Sequence, residues 1–206
     1  SLFNMETISN TLFWISNGLL VPVIVLLLLF FLRSLFLIGG FFGEFYQRTK
    51  LQKKFNVMLD TINGENCEEM LRHLPKASSF PLTKCLNELS EHRSQPAFCE
   101  RLLANYEVEA ERELGKSRIL AKLGPMLGLM GTLIPMGPAL VGLANGDISS
   151  MAYNMQVAFA TTVVGMVIAA IGIITLQVKQ RWLSRELNDL EYFHKTITET
   201  DHHEKE

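Results

Sequence analysis

One stretch of the chain, residues 124–177, limits what this protein can fold into. It contains two apolar segments joined by a short polar turn at residues 145–150. No Lys or Arg lies between Lys122 and Lys179, and the only acidic residue between them is Asp147, in the turn. Each segment is long enough to cross a bilayer as a helix, which satisfies its own backbone groups there. The stretch therefore predicts a helical hairpin that crosses a membrane twice, with both ends on the same side.

Both segments are rich in small residues, which fall at helical spacing. In the second segment these residues recur at alternating intervals of four and three, so they form one stripe along a helix face. Small residues let helix backbones approach closely inside a bilayer. We expect this stripe to pack against neighbouring copies of the chain. The predicted helix-packing residues of the two segments are Gly124, Gly128, Gly131, Ala158, Gly165, Ala169 and Gly172.

Hydroxyl groups also lie within the apolar segments, at Thr132, Thr161, Thr162 and Thr175. An unpaired polar group in hydrocarbon is costly, so each hydroxyl needs a hydrogen-bond partner or water. One interpretation is that the hydroxyls line a path for water and ions. The other is that each threonine bonds back to a carbonyl of its own helix. The sequence leaves both interpretations open.

Two sequence motifs in these segments resemble those of a known family. The first, GPMLGLMGT at residues 124–132, resembles the second-membrane-helix motif of the MotA/TolQ/ExbB proton-channel family, a Pro followed by Gly-Leu-x-Gly-Thr. The second, AFATTVVGM at residues 158–166, resembles the third-helix motif of that family, in which a Thr precedes a Gly by three residues. The resemblance is close over roughly residues 100–180. Three apolar segments, rather than four, match the TolQ/ExbB branch.

The resemblance implies a membrane subunit of a motor or channel driven by an ion-motive force. In the family, five copies surround a partner of the ExbD/TolR/MotB type, which crosses the membrane once and supplies an essential Asp. ExbB-like relatives often carry an acid near the start of the third helix, where this chain has Gln156 and Val157. Thr132 and Thr162 stand where the family's second- and third-helix threonines stand, with Thr161 as the competing position. The conducted ion is a proton or sodium, and the alternative function is a passive membrane scaffold.

A third apolar segment, near the N-terminus, is bulky rather than rich in small residues, so we expect its helix to lie outside the other two. Its Arg33 either extends to the headgroups, marks the helix end, or meets a partner or lipid phosphate. The prediction is an all-α membrane protein with long cytoplasmic helical extensions, expected to form a homopentamer. Its parts are an external interfacial helix at 1–18, membrane helices at 19–42, 119–143 and 153–178, a cytoplasmic helical region at 43–118, an external turn at 144–152 and a cytoplasmic helix and tail at 179–206.

Within the cytoplasmic region, the sequence predicts a turn at Asn63-Gly64, a short helix at 65–74, a loop at 76–81 and another short helix ending near His92. A long helix then begins with Ser94 as its cap and Pro96 in its first turn. This helix continues into the second membrane segment. Its charged residues, including Glu113, are interpreted as a solvated face with i,i+4 pairs.

The cations predict the orientation in the membrane. All 19 Lys and Arg residues lie at or after Arg33, and none lies in the turn between the second and third membrane segments. The positive-inside rule then places the N-terminus and this turn outside, and the middle region and the tail in the cytoplasm of a bacterial-type inner membrane.

The sequence lacks the residues typical of nucleic-acid-binding proteins, enzymes and metal sites. A net charge of −2 argues against a nucleic-acid partner. The sequence shows no nucleophile–base pair and no phosphate-binding loop, so it predicts neither an enzyme nor a cofactor. The spacings of Cys67, Cys85 and Cys99 are not those of a zinc site, and His202 and His203 are a weak metal signal in a polar tail.

Overall fold

A computed structural model of the chain describes residues 2–61 and 81–203, with side chains at 5–49, 81–196 and 198. Within these residues every regular element is a helix. The helices are α1 (Leu2–Gly18), α2 (Leu20–Thr61), α3 (Pro81–Glu91), α4 (Pro96–Ala144) and α5 (Ile148–His203). The predicted turn at Asn63-Gly64, the helix at 65–74, Cys67 and most of the loop at 76–81 lie outside the described residues.

Three stretches of helix are long and apolar enough to cross a membrane, Met5–Thr49, Pro96–Ala144 and Ile148–Thr196. This confirms the all-helical class and the three apolar helices expected from the sequence. In the first stretch 17% of the most apolar window is buried, against 39% in each of the other two. The difference follows from composition, because bulky side chains fill lipid-facing surface while small ones allow helices to approach each other.

The long helix α4 begins one residue away from the cap that the sequence predicted. The amides of Phe98 and Cys99 both donate to the carbonyl of Gln95, at 3.0 and 3.1 Å. Gln95 is therefore the N-cap residue, and the expectation that Ser94 caps the helix is wrong. Pro96 takes the first helical position, where its missing N–H removes no intrahelical bond.

The connection between α4 and α5 is shorter than the predicted turn at 144–152, because α5 already begins at Ile148. Gly146 adopts a left-handed backbone with φ of 72°. Its amide donates to Leu143 at 3.1 Å and that of Asp147 to Gly142 at 2.8 Å, the pattern of a Schellman motif. The Asp147 carboxylate also accepts from the amide of Ser150 at 3.0 Å. One residue therefore both completes the end of α4 and caps the start of α5.

The chain divides into two compact units. The first, which we call the apolar unit, comprises residues 1–41 and 116–176, and the second, the polar unit, comprises residues 42–115 and 177–206. The buried core of the apolar unit consists of Val23, Leu27, Leu120, Leu127, Ile134 and Ile168. The buried core of the polar unit consists of Leu82, Cys85, Leu86, Leu89, Cys99, Leu190 and Phe193.

Candidate functional site

Inside the apolar unit, α4 and α5 pack backbone against backbone at their glycines. A Cβ atom built on Gly165 would lie 2.7 Å from the carbonyl oxygen of Gly124 and 2.8 Å from the Cα of Gly128. One built on Gly124 would lie 2.8 Å from the amide nitrogen of Ala169. Gly172 meets the backbone of Ala121 in the same way. No residue larger than glycine fits at these positions unless the two helices separate.

This packing corrects one expectation about the small-residue stripe. The sequence predicted that the stripe on the third membrane helix packs against neighbouring copies. Instead Gly165, Ala169 and Gly172 are buried against α4 of the same chain. The stripe has this partner because the small residues of α4, above all Gly124 and Gly128, present a matching surface on the adjacent helix.

The three threonines proposed for an ion path lie close to this contact in different environments. Thr161 is buried, and its Oγ1 would lie 2.5 Å from a Cβ atom built on Gly131. Thr132 and Thr162 are half-buried. The pairing of Gly131 with Thr161 along the two antiparallel helices places all three threonines within about one helical turn of the same level.

Each of these hydroxyls donates to a carbonyl of its own helix. Thr132 donates to Leu129 at 2.7 Å, and Thr162 donates to Ala158 at 2.9 Å. Thr161 shares its proton between Val157 and Ala158, at 3.0 and 2.9 Å. Local bonding satisfies the hydroxyl proton but leaves the oxygen lone pairs, so each hydroxyl can still accept a hydrogen bond from water.

Thr175 makes a contact that the sequence did not predict. Its hydroxyl lies 3.2 Å from that of Ser117, and both residues are buried. The bond joins α4 to α5. Ser117 lies at helical spacing from the buried residues Leu114 and Leu120, and this spacing was the available signal for its position in the interface. On α2, Ser34 is buried and bonded to Phe31 at 2.7 Å, while the neighbouring Arg33 is exposed.

The polar unit holds a cluster of charged side chains drawn from α2, α4 and α5. The ammonium group of Lys179 lies 3.0 Å from the Glu44 carboxylate and 3.3 Å from the Glu113 carboxylate. The Lys179 side chain is 11% exposed, whereas the two carboxylates are 37% and 36% exposed. A mostly buried cation is therefore neutralised by two carboxylates that keep part of their hydration.

A second part of the cluster surrounds Glu186. Arg48 lies 2.6 Å from one oxygen of its carboxylate, and the hydroxyl of Tyr106 donates to the other at 2.6 Å. Burial, and then the nearby Glu186 charge, raise the pKa of Tyr106 far above its ordinary value. Tyr106 therefore stays protonated and acts as a donor. The guanidinium of Arg48 also lies 5.6 Å from the centre of the Trp182 ring, within cation–π range.

The sequence interpretation of Glu113 as part of a solvated helix face is wrong, since Glu113 is half-buried and bonded to Lys179. Tyr106 and Glu113 are seven residues apart on α4, and Lys179 and Glu186 are seven apart on α5. This spacing puts each pair on one helix face, in line with the buried positions. The charges at i,i+4 spacing on α4 favoured a solvated face instead, so the sequence did not indicate that Glu113 lies beside buried positions.

Two cysteines belong to the core of the polar unit. Cys85 and Cys99 are both buried, and both are free thiols that form no disulfide. Burial, followed by the charge of Glu88, raises the pKa of Cys85 to about 12. Burial also raises the pKa of Cys99. These thiols therefore remain protonated at neutral pH and pack as small apolar groups.

Comparison with known protein families gives a match that covers much of the chain. The family described as the MotA/TolQ/ExbB proton channel family matches residues 76–192, which is more than half of the chain. The matched range includes the glycine contact of α4 and α5, the three threonines and most of the charged cluster. A search of curated proteins finds no match.

Proposed function

This chain belongs to the MotA/TolQ/ExbB proton channel family, and from that premise we propose that it is the membrane subunit of an ion-driven motor. In this proposal it resembles the ExbB/TolQ branch and conducts protons or sodium ions together with a single-span partner. One observation carries the proposal. The matched hairpin packs backbone against backbone and contains no carboxylate between Lys122 and Lys179 except Asp147 in its turn.

The absence of an acid in the matched spans determines what the partner must supply. Moving a proton through hydrocarbon requires a titratable group, because a lone ion is costly there. Gln156 is exposed at the start of the third span and cannot titrate. We therefore assign the acid to a partner of the ExbD/TolR/MotB type, whose single membrane helix carries an Asp.

Thr132 and Thr162 are the hydroxyls proposed to accompany this acid. Both are half-buried and lie at similar depth. Thr161 is less suitable because it is buried against Gly131 within the same chain. Lone pairs on the two accessible hydroxyls would hold water beside the partner's carboxylate. Hydroxyl oxygens also suit sodium, so the same arrangement serves either ion.

The proposal includes a homopentamer in a bacterial-type inner membrane, with α1 and the turn at residues 145–147 outside. The cation asymmetry supports this orientation. A Cys introduced at Ser149 should react with an impermeant maleimide added outside intact cells, and a Cys introduced at Ser184 should not. The opposite labelling pattern would overturn the orientation.

Ion flux in liposomes that hold the subunit and its partner tests the proposed function. Thr162→Val keeps the side-chain shape and removes the hydroxyl, so partner-dependent flux should be abolished while the complex stays assembled. Thr161→Val is the matched control, because it removes a neighbouring hydroxyl that faces Gly131. Full flux in the Thr132→Val, Thr162→Val double variant would exclude this path.

A passive membrane scaffold is the second candidate, and one observation favours it. Every threonine of the proposed path already donates to its own helix, so none requires water or an ion. A scaffold would conduct no ions with any partner, and the threonine variants would change only stability. Absence of flux in the wild-type complex, with the partner bound, would support the scaffold.

A further inference from the structure

The polar unit carries two pairs of like charges on the exposed surfaces of α4 and α5. Glu107 and Glu111 are four residues apart on α4, and Arg181 and Arg185 are four residues apart on α5; all four are exposed. Like charges at this spacing repel and weaken a helix slightly. Two such pairs of opposite sign call for an explanation.

Three of these charges, those of Glu107, Arg181 and Arg185, are poorly neutralised within their own helices. Glu107 has Leu103, Ala104, Ala110 and Glu111 at the three- and four-residue positions, and Arg181 has Gln177, Val178, Ser184 and Arg185. Arg185 has one acidic neighbour at these positions, Asp189, whose pKa is raised because burial outweighs the opposing effect of Arg185. Among the described residues, no ion pair is found for Glu107, Arg181 or Arg185.

The register of the two helices places opposite charges at the same level. Tyr106 contacts Glu186, and Glu113, seven residues further along α4, contacts Lys179, seven residues earlier on α5. The antiparallel register set by these two contacts puts Glu107 level with Arg185, and Glu111 level with Arg181. Within the chain, however, these four side chains are exposed, whereas Glu186 is buried.

We propose that these charges form the contact between neighbouring copies of this chain in the polar unit, with Glu107 and Glu111 of one copy facing Arg185 and Arg181 of the next. The inference rests on the assembly included in the proposed function. Copies inserted in the same direction in one membrane meet with equal depths side by side. The acidic and basic pairs lie at equal depths on different helices, so they suit a head-to-tail ring in which every interface is the same.

The chemistry favours a second copy over a lipid headgroup as the occupant. An anionic headgroup would account for the arginines but not for the acidic pair at the same level. Two neighbouring charges of each sign, in matching order along the two helices, also fix the register between copies and discourage misaligned contacts.

Charge reversal tests the proposal on the full-length protein in detergent at low salt. Glu107→Arg and Arg185→Glu each put like charges at every interface, so the assembled fraction should fall roughly fivefold or more. The double variant restores opposite charges and should recover most of the assembly. Glu109→Arg is the matched control, because Glu109 pairs with Arg112 of its own helix and lies about 200° around α4 from Glu107.

Mass photometry measures the assembled fraction, and disulfide trapping shows which residues meet. A Glu107→Cys chain mixed with an Arg185→Cys chain should form an intermolecular disulfide, whereas either variant alone should not.

If the wild type assembles but the reversals have no effect, or the double variant is no better than the single ones, the pairing is wrong while the assembly stands. A double variant that fails while the Arg185→Glu variant alone loses bound anionic lipid would assign the arginines to lipid. A wild type that remains monomeric would overturn the assembly itself.

Discussion

The apolar and polar units draw on the same three helices, α2, α4 and α5, but hold them together in different ways. In the apolar unit, α4 and α5 meet through their backbones at Gly124, Gly128 and Gly165, and one hydroxyl pair joins them. In the polar unit the helices are joined by long side chains, with Lys179 and Glu186 bonded to partners from the other two helices.

The difference follows from the solvent that each unit is built for. Lipid tails are as apolar as leucine, so burial of apolar groups does not drive helices together in a bilayer, and close van der Waals contact takes its place. Water provides that drive for the core around Leu86 and Phe193. It also lets partly exposed carboxylates such as Glu44 and Glu113 surround a buried cation. The same helices can therefore be held together by close backbone contact in one part of their length and by an apolar core with ion pairs in another.

The largest effect is expected from Gly165→Leu. A leucine side chain would have to displace the backbone of Gly124 and Gly128, which cannot move without separating α4 from α5. We expect a loss of about 3 kcal/mol or more in stability. Thermal unfolding of the purified protein in detergent, followed by size-exclusion chromatography, measures it.

Gly39→Leu is the control for that variant, since a Cβ atom at Gly39 meets nothing within 4 Å. Its effect should stay within about 0.5 kcal/mol. Equal losses in the two variants would show that glycine in these helices acts through backbone flexibility and not through close packing.

A smaller and differently placed effect is expected from Lys179→Met. It removes the cation between Glu44 and Glu113 and leaves their carboxylates to repel each other. Breaking a fully buried pair costs about 3–5 kcal/mol. Because these carboxylates are 37% and 36% exposed, solvent screening reduces the expected loss to about 1–3 kcal/mol.

Hydrogen exchange locates the effect of Lys179→Met. Amides of the polar unit should exchange faster, while those around Gly128 and Gly165 should keep their protection. Lys84→Met serves as the control, because Lys84 is 77% exposed and pairs with Glu88 of its own helix. Faster exchange confined to the apolar unit would contradict the conclusion that the charged cluster stabilises the polar unit.

How far the sequence predicts this fold differs between the two units. Helical spacing of small residues identified the packing faces of the apolar unit, because in lipid only small residues permit close contact. It did not identify what covers the face at Gly165, since periodicity on one helix says nothing about its partner. In the polar unit many side chains suit a helix in water, so Glu113 looked like an ordinary surface charge and its contact with Lys179 depended on the register.

The smallest effect is expected from Thr175→Val, which removes the hydroxyl bond to Ser117 inside the apolar unit. Interhelical hydrogen bonds in membrane proteins contribute about 0.6 kcal/mol on average. A double-mutant cycle with Ser117→Ala isolates this bond from the loss of each side chain. Thr162→Val gives the baseline for a threonine whose hydroxyl donates within its own helix. A coupling energy of zero would show that this bond adds nothing to the packing of α4 against α5.

The tight connection between α4 and α5 restricts how the protein can move. Only residues 145–147 separate the two helices, and Asp147 is bonded both backwards to Gly142 and forwards to Ser150. Sliding one helix past the other by a single turn would need about 5.4 Å of free chain, which three residues engaged at both ends do not provide. Within the apolar unit, α4 and α5 therefore tilt and shift as a single rigid body.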